Sequence, residues 1–478
     1  MPELAKAQRA KRAPLCGKMK RKLESAGSDS VAGSYVPNHF LIELTNQTPF
    51  INDSDTTDME HFPVFMHEYW HYLHNITTIS GFRAFVLAQL LVPRFASTLV
   101  GRESLKRLDI ASAEYVATLL KLFYLRDGVA GPKNPWARDP RSFTATKIVE
   151  GNEPFAIGGR ASVEPFVSIG VKGTAQNGRI YGGEFKFGSL AIEESVAWMV
   201  QDKISSVKMP LHMQPPLFPY ATAGRVLNLM LPGRDLTSTF YPAALGTLSL
   251  LHTSPGTAFI SFGRDFAKAL ASGASEDAAL DGVIGASRAR IQLRIDAARG
   301  DLVNLESMLK DRGSWGQSVA FVCDLIRKGF DSRVQDPVFD VRAAFDPTDQ
   351  NNLATLREKF PPCDILQQEA DDGKRLYAFN RSATEPMRIL QAQQHYMFSH
   401  ISSRNSFIPS TRVIKDPPPR AAIERECPFL DACPLPFFQD NPEVCWTNPW
   451  RACEDADSHC WYSVAVLETI GGVKIQRK

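Results

Sequence analysis

His67-Glu68-Tyr69-Trp70-His71, set between Val64-Phe65-Met66 and Tyr72-Leu73, decides how this 478-residue chain is read. On a helix, residues four apart stand on one face, so both imidazoles can reach one metal ion. Glu68 follows His67 by one residue. That turns its carboxylate to the side of the face, where it can take a proton from a water held by the metal. The chain has only ten histidines, and an H-E-x-x-H segment arises by chance in roughly one such chain per hundred. The flanks argue against chance, because Glu68 is the only charge between positions 64 and 73. A helix buried around an active site needs uncharged neighbours; a solvated helix would carry Lys or Glu between the histidines. The plainer reading is a buried helix whose histidines bond backbone.

The pattern predicts a helix over 62–79. Asn52, Ser54 and Asp55 offer upstream caps, Pro63 suits the first turn, and Gly81 suits the stop. A catalytic zinc site keeps three protein ligands and one open position, so the chain must supply one more group. His74 lies two turns from His67, about 10 Å along the axis, too far for three imidazoles on one straight helix to converge. It reads as a packing or supporting histidine. The metzincin continuation is missing too: His74 stands where that pattern has glycine, and position 77 is Thr where it has His.

The better candidates lie in Ser189-Leu190-Ala191-Ile192-Glu193-Glu194-Ser195-Val196-Ala197-Trp198-Met199-Val200. Ile192, Val196, Met199 and Val200 share a helical face. Two adjacent carboxylates in so apolar a segment need a partner, and a metal is one. The alternative is an amphipathic helix with two surface glutamates. Here the chain resembles the gluzincin peptidases, in which a second helix supplies a glutamate followed three residues later by a small residue. Glu194 with Ala197 matches that spacing. Glu193 with Val196 matches it less well, although Glu193 points nearer the middle of the apolar face. The resemblance covers these two helices only, and their separation is longer than in compact gluzincins.

The resemblance implies a zincin-like catalytic core: a small sheet beside the H-E-x-x-H helix, with an edge strand that aligns a peptide by strand addition. It makes His67, His71 and Glu194 (alternatively Glu193) the zinc ligands and Glu68 the general base. A Tyr or His should stabilise the oxyanion. Tyr181, Tyr241, His252, His395 and His400 are available, and nothing in the sequence selects among them. The expected fold is α+β and mainly helical. Strands are predicted at 40–44, 146–149, 165–171 and 179–187, the last three forming a meander into the glutamate helix. Helices are predicted at 82–99, 104–125, 221–231, 241–251, 259–271, 275–298, 314–328 and 385–403. Arg83, Pro93 and Arg94 interrupt the first of these, so it reads as a core helix and not a membrane span.

Five of eight cysteines crowd the end of the chain: Cys427, Cys433, Cys445, Cys453 and Cys460, with His459 alongside. This suits a small module that needs a staple. Zinc would use four of these six groups as a second, structural metal. Disulfides would need an oxidising compartment. The start has no apolar signal segment but carries Lys6, Arg9, Lys11, Arg12, Lys18, Lys20, Arg21 and Lys22, which favours a cytoplasmic protein and the metal. An iron–sulfur cluster is a further option, but the spacings match no common cluster motif.

The expected organisation is a basic disordered tail (1–38), a zincin-like metal-binding core (39–208), a mainly helical region (209–410) and a Cys-rich module (411–478). Apolar content of 44% and charged content of 22% are those of a globular protein. A net charge of +2 gives no global case for nucleic-acid binding, which is left to the basic tail. The expected function is a zinc-dependent hydrolase, a metallopeptidase acting on a protein or peptide substrate. The alternatives are a non-catalytic zinc-binding protein, with H-E-x-x-H as a structural site, and an interaction protein that docks a partner through the C-terminal module.

Overall fold

The computed structural model describes residues 33–36, 40–46, 62–96, 128, 140–157, 160–175, 178–208, 217–237, 239–346, 351–369, 375–378, 385–401, 407–408, 413–414, 427–429, 433, 436–447, 449–454 and 460–469. Positions 1–32 and 37–38 of the expected disordered tail and the helix expected at 104–125 lie outside this set, and positions 33–36 of that tail form a strand instead.

Helix α1, Phe62–Thr77, buries every residue except Val64 and His71. A helix apolar all round belongs inside a core, and α1 is enclosed from several sides. On one side lies a four-stranded sheet of order β1-β2-β6-β7, comprising β1 Gly33–Val36, β2 Leu41–Asn46, β6 Asp364–Glu369 and β7 Arg375–Ala378. Strand β2 is antiparallel to β1 and parallel to β6, so the sheet joins segments more than 300 residues apart. On other sides pack α3, Ser189–Lys208, and α9, Gly313–Gln335.

The stop of α1 differs from expectation. The helix breaks at Thr78, and Gly81 lies inside the next helix, α2 (Ile79–Ala96). Thr78 makes the break: its Oγ1 donates to His74 O at 2.7 Å and accepts from Gly81 N–H at 3.1 Å. Gly81 is needed for a different reason. A Cβ there would stand 2.4 Å from the Asn75 backbone, so only glycine lets α2 turn back this closely. Gly329 does the same for α9, where a Cβ would stand 2.4 Å from Ile76 O.

A second sheet is the expected meander, in longer form: β3 Pro140–Ile157, β4 Arg160–Ala175 and β5 Ile180–Phe187, all antiparallel. Val167, Ile169, Val171, Phe185 and Phe187 face the core. The extra length was hidden by charge on the exposed face, where Lys147 pairs with Glu184 and Lys186 lies 3.2 Å from Glu153 across the strands. Strand β5 runs through Gly188 directly into α3.

The remainder is mainly helical. A short turn, α4 (Leu217–Tyr220), is followed by α5 Thr222–Met230, α6 Phe240–Leu250, α7 Pro255–Ala271 and α8 Glu276–Leu309. After α9 come α10 Phe339–Phe345, α11 Asn351–Lys359 and α12 Glu385–Ile401. The C-terminal module holds α13 Pro436–Asp440, α14 Pro442–Thr447, a 3₁₀ turn Pro449–Glu454 and α15 Trp461–Thr469. One hydrophobic cluster runs from Tyr35 to Leu390, and a second gathers Ile389, Ala392 and Tyr396 of α12 with the module. The module is also pinned to α9: the Glu468 carboxylate accepts from Ser314 N–H at 2.9 Å and Trp315 N–H at 2.7 Å. These amides are otherwise unpaired at a helix start. No helix among the described residues is long and apolar enough to cross a membrane.

Candidate metal centre

Helix α1 presents His67 and His71 one turn apart, and α3 packs across it and presents Glu194. The three side chains converge. His67 Nε2 lies 3.1 Å from His71 Nε2 and 3.3 Å from Glu194 Oε2, and His71 Nε2 lies 3.4 Å from the same oxygen. A tetrahedral ion with bonds of about 2.0–2.1 Å holds its ligand atoms about 3.3 Å apart. The observed triangle has those edges. Among the described residues this is the one group of three or more His, Cys, Asp or Glu whose ligand atoms all lie within 4.8 Å of one another. Glu193, one residue earlier, is outside it.

The electrostatics fit a cation. Two imidazole nitrogens and a carboxylate oxygen are all acceptors, and bringing them together needs positive charge between them. Burial lowers the His71 pKa, but the Glu194 carboxylate outweighs that by charge and hydrogen bond and lifts it to about 9. Burial raises Glu194, but His71 and His67 outweigh it and hold the carboxyl well below its usual range. A proton on His71 therefore supplies the positive charge in the metal-free protein. Glu68 is buried with 6% exposure. Burial raises its carboxyl above the ordinary value, and His71 and His67 only partly pull it back. A base poised closer to neutral pH accepts protons more effectively. The Tyr35 backbone N–H, from β1, donates to it.

His74 faces away from this triangle. Its Nε2 stands 3.6 Å from Asp340 Oδ2, with both side chains fully buried. Burial, the main cause, lowers the His74 pKa, so it packs as a neutral ring. Asp340 in turn takes a two-pronged bond from Arg333, at 2.6 and 2.8 Å, and Arg333 also donates to Thr77 Oγ1 at 2.8 Å. This buried network fixes the C-terminal end of α1.

Tyr220 is the residue that sequence reasoning missed. Its ring lies edge-on to His67, with centroids 5.6 Å apart, and against Trp198 at 5.7 Å. Burial first, then the Glu194 and Glu68 carboxylates, raise its hydroxyl above the ordinary value, so it is a neutral donor. Ser195, the neighbour of Glu194, places it. Ser195 Oγ lies 2.9 Å from Pro219 O and accepts from Ala223 N–H at 3.1 Å. The oxyanion candidates named from sequence are engaged elsewhere: Tyr241 bonds Asp277, His252 rests on Phe262 and His395 bonds Tyr462. The side chains of Tyr181 and His400 lie outside the described set.

In the module, Cys427, Cys433, Cys445 and Cys460 line one pocket with Phe429 and Trp461. Burial, then Cys460 and Cys433, push the Cys445 thiol up to about 12. His459 and the Cys453 side chain lie outside the described set. Comparison of the chain with protein-family models, with curated proteins and with solved structures gives no match.

Proposed function

We propose that this protein is a zinc-dependent metallopeptidase resembling the gluzincins, with zinc held by His67, His71 and Glu194. The observation that carries the reading is the triangle of donor atoms at 3.1, 3.3 and 3.4 Å, flanked by a buried carboxylate on the same helix. A zinc ion there would lower the pKa of a water in its open position and polarise the scissile carbonyl. Glu68 takes a proton from the attacking water and returns it to the leaving amine. Tyr220 donates a hydrogen bond to the oxyanion as it develops. Strand β1 ends the four-stranded sheet and touches the site through its Tyr35 amide, which favours an extended substrate laid against it.

The test is hydrolysis of a degenerate peptide library by the full chain, with a chelator abolishing it and zinc restoring it. Tyr220→Phe should keep the zinc and lower kcat about 10²-fold, the cost of one oxyanion donor. A zinc-loaded chain that leaves the whole library intact overturns the reading.

Zinc uptake should also release protons. With a pKa of about 9, His71 is protonated at neutral pH in the metal-free protein and must become neutral to ligate. Calorimetry in buffers of different ionisation enthalpy should find about one proton released at pH 7, and affinity should rise about tenfold per pH unit below pH 9. Proton-independent uptake would place the ion elsewhere.

A further inference from the structure

We propose that Tyr35 is a positioning residue for Glu68, clamped by Asn75 at the far end of its ring. The proposal rests on the reading of Glu68 as the base. Positions 68, 72 and 75 of α1 lie four and three apart, so they share one face of the helix. Tyr35 of β1 lies along that face. Its amide donates to the Glu68 carboxylate, its ring stands edge-on to Tyr72 with centroids 6.2 Å apart, and its hydroxyl donates to Asn75 Oδ1 at 2.7 Å. One residue thus spans α1 from Glu68 to Asn75, about 10 Å along the axis.

The chemistry of Asn75 fixes the direction of the clamp. Its Nδ2 donates to Gly81 O of α2 at 3.3 Å, which turns Oδ1 toward Tyr35 and makes the hydroxyl the donor. Burial raises the Tyr35 hydroxyl well above its ordinary pKa, so it stays protonated for that bond. Tyr35 and Asn75 are both buried, which shields the bond from water. Strand β1 needs such an anchor. It is four residues long and ends its sheet, paired with β2, and so short a ladder holds a strand weakly. The hydroxyl bond sets the height of β1 on α1, and the Tyr35 amide then aims the Glu68 carboxylate. A catalytic group works only when held near its productive position, and a shift of about 1 Å lowers the rate roughly 10²-fold.

Tyr35→Phe removes the hydroxyl and keeps the amide and the ring. In the zinc-loaded full chain it should lower kcat about 10- to 10²-fold, with KM changed less and zinc content unchanged. Asn75→Leu removes the acceptor instead and should lower kcat to the same degree, and the double variant should be no worse than either. In a Glu68→Gln chain, Tyr35→Phe should lower kcat no further, because no base is left to aim. Amide hydrogen exchange reads the clamp without hydrolysis. The Tyr35 amide should exchange at least about tenfold faster in Tyr35→Phe, with the amides of α1 unchanged. A parent chain that cleaves no peptide ends the zinc reading, and the exchange rate then decides the clamp by itself. Unchanged exchange at the Tyr35 amide overturns the proposal. So does a Tyr35→Phe chain with parental kcat, or a loss of kcat that persists in full in the Glu68→Gln background.

Discussion

Glu68→Gln is expected to keep zinc at its site and to lower peptide hydrolysis by about 10³- to 10⁴-fold, the upper part of the range for a general base. The substitution preserves volume in a site where Glu68 is 6% exposed, and the Tyr35 amide still meets an oxygen. It removes only the capacity to accept a proton. The pH profile carries a second signature. The active form of Glu68 is the carboxylate, and burial raises its pKa. Activity should therefore fall as pH drops and Glu68 takes up a proton, and this limb should vanish in the variant. Metal content and hydrolysis measured on one preparation check both. A Glu68→Gln chain within about tenfold of the parent would show that the proton is taken elsewhere.

The largest effect on stability is expected at Asp340, far in sequence from any ligand. Asp340→Ala leaves the Arg333 guanidinium fully buried without its carboxylate partner, a loss of about 3–5 kcal/mol. Replacing both residues by apolar side chains of similar volume should restore most of that, because the cost lies in the unpaired charge. Chemical unfolding of the single and double variants measures the difference. A single variant within about 1 kcal/mol of the parent would mean that water reaches Arg333. The network touches α1 at both Thr77 and His74, so zinc affinity should weaken along with stability.

The contrast between what the sequence revealed and what it hid follows from the range of the forces involved. Helix α1 was legible because its two histidines, Glu68 and its apolar flanks lie within sixteen residues and obey one period. The helical middle was legible for the same reason, and α8 outran its expected end only because Gly300 continues the helix with open space around it. The pairing of β2 with β6 was invisible, since nothing in positions 41–46 names positions 364–369 as a parallel neighbour. Tyr220 was hidden by its setting, a four-residue turn after a proline-rich stretch, where no periodicity operates. What places it is Ser195, whose Oγ accepts from Ala223 N–H and lies beside Pro219 O. The pairing of Arg333 with Asp340 was missed because α10 is too short to announce a buried face.

The distance between α1 and its partners sets a timetable during synthesis. Thr77 is made 256 residues before the Arg333 that bonds it, and Tyr69 is made 291 residues before the Phe360 carbonyl it bonds at 2.7 Å. At about 5–20 residues per second, the most apolar helix of the site waits roughly 13–50 s for Arg333 to be made. Through that interval the side of α1 that packs on α9 has no partner, although β1, β2 and α3 are already made. The nascent chain therefore carries one face of α1 exposed until α9 arrives to bury it.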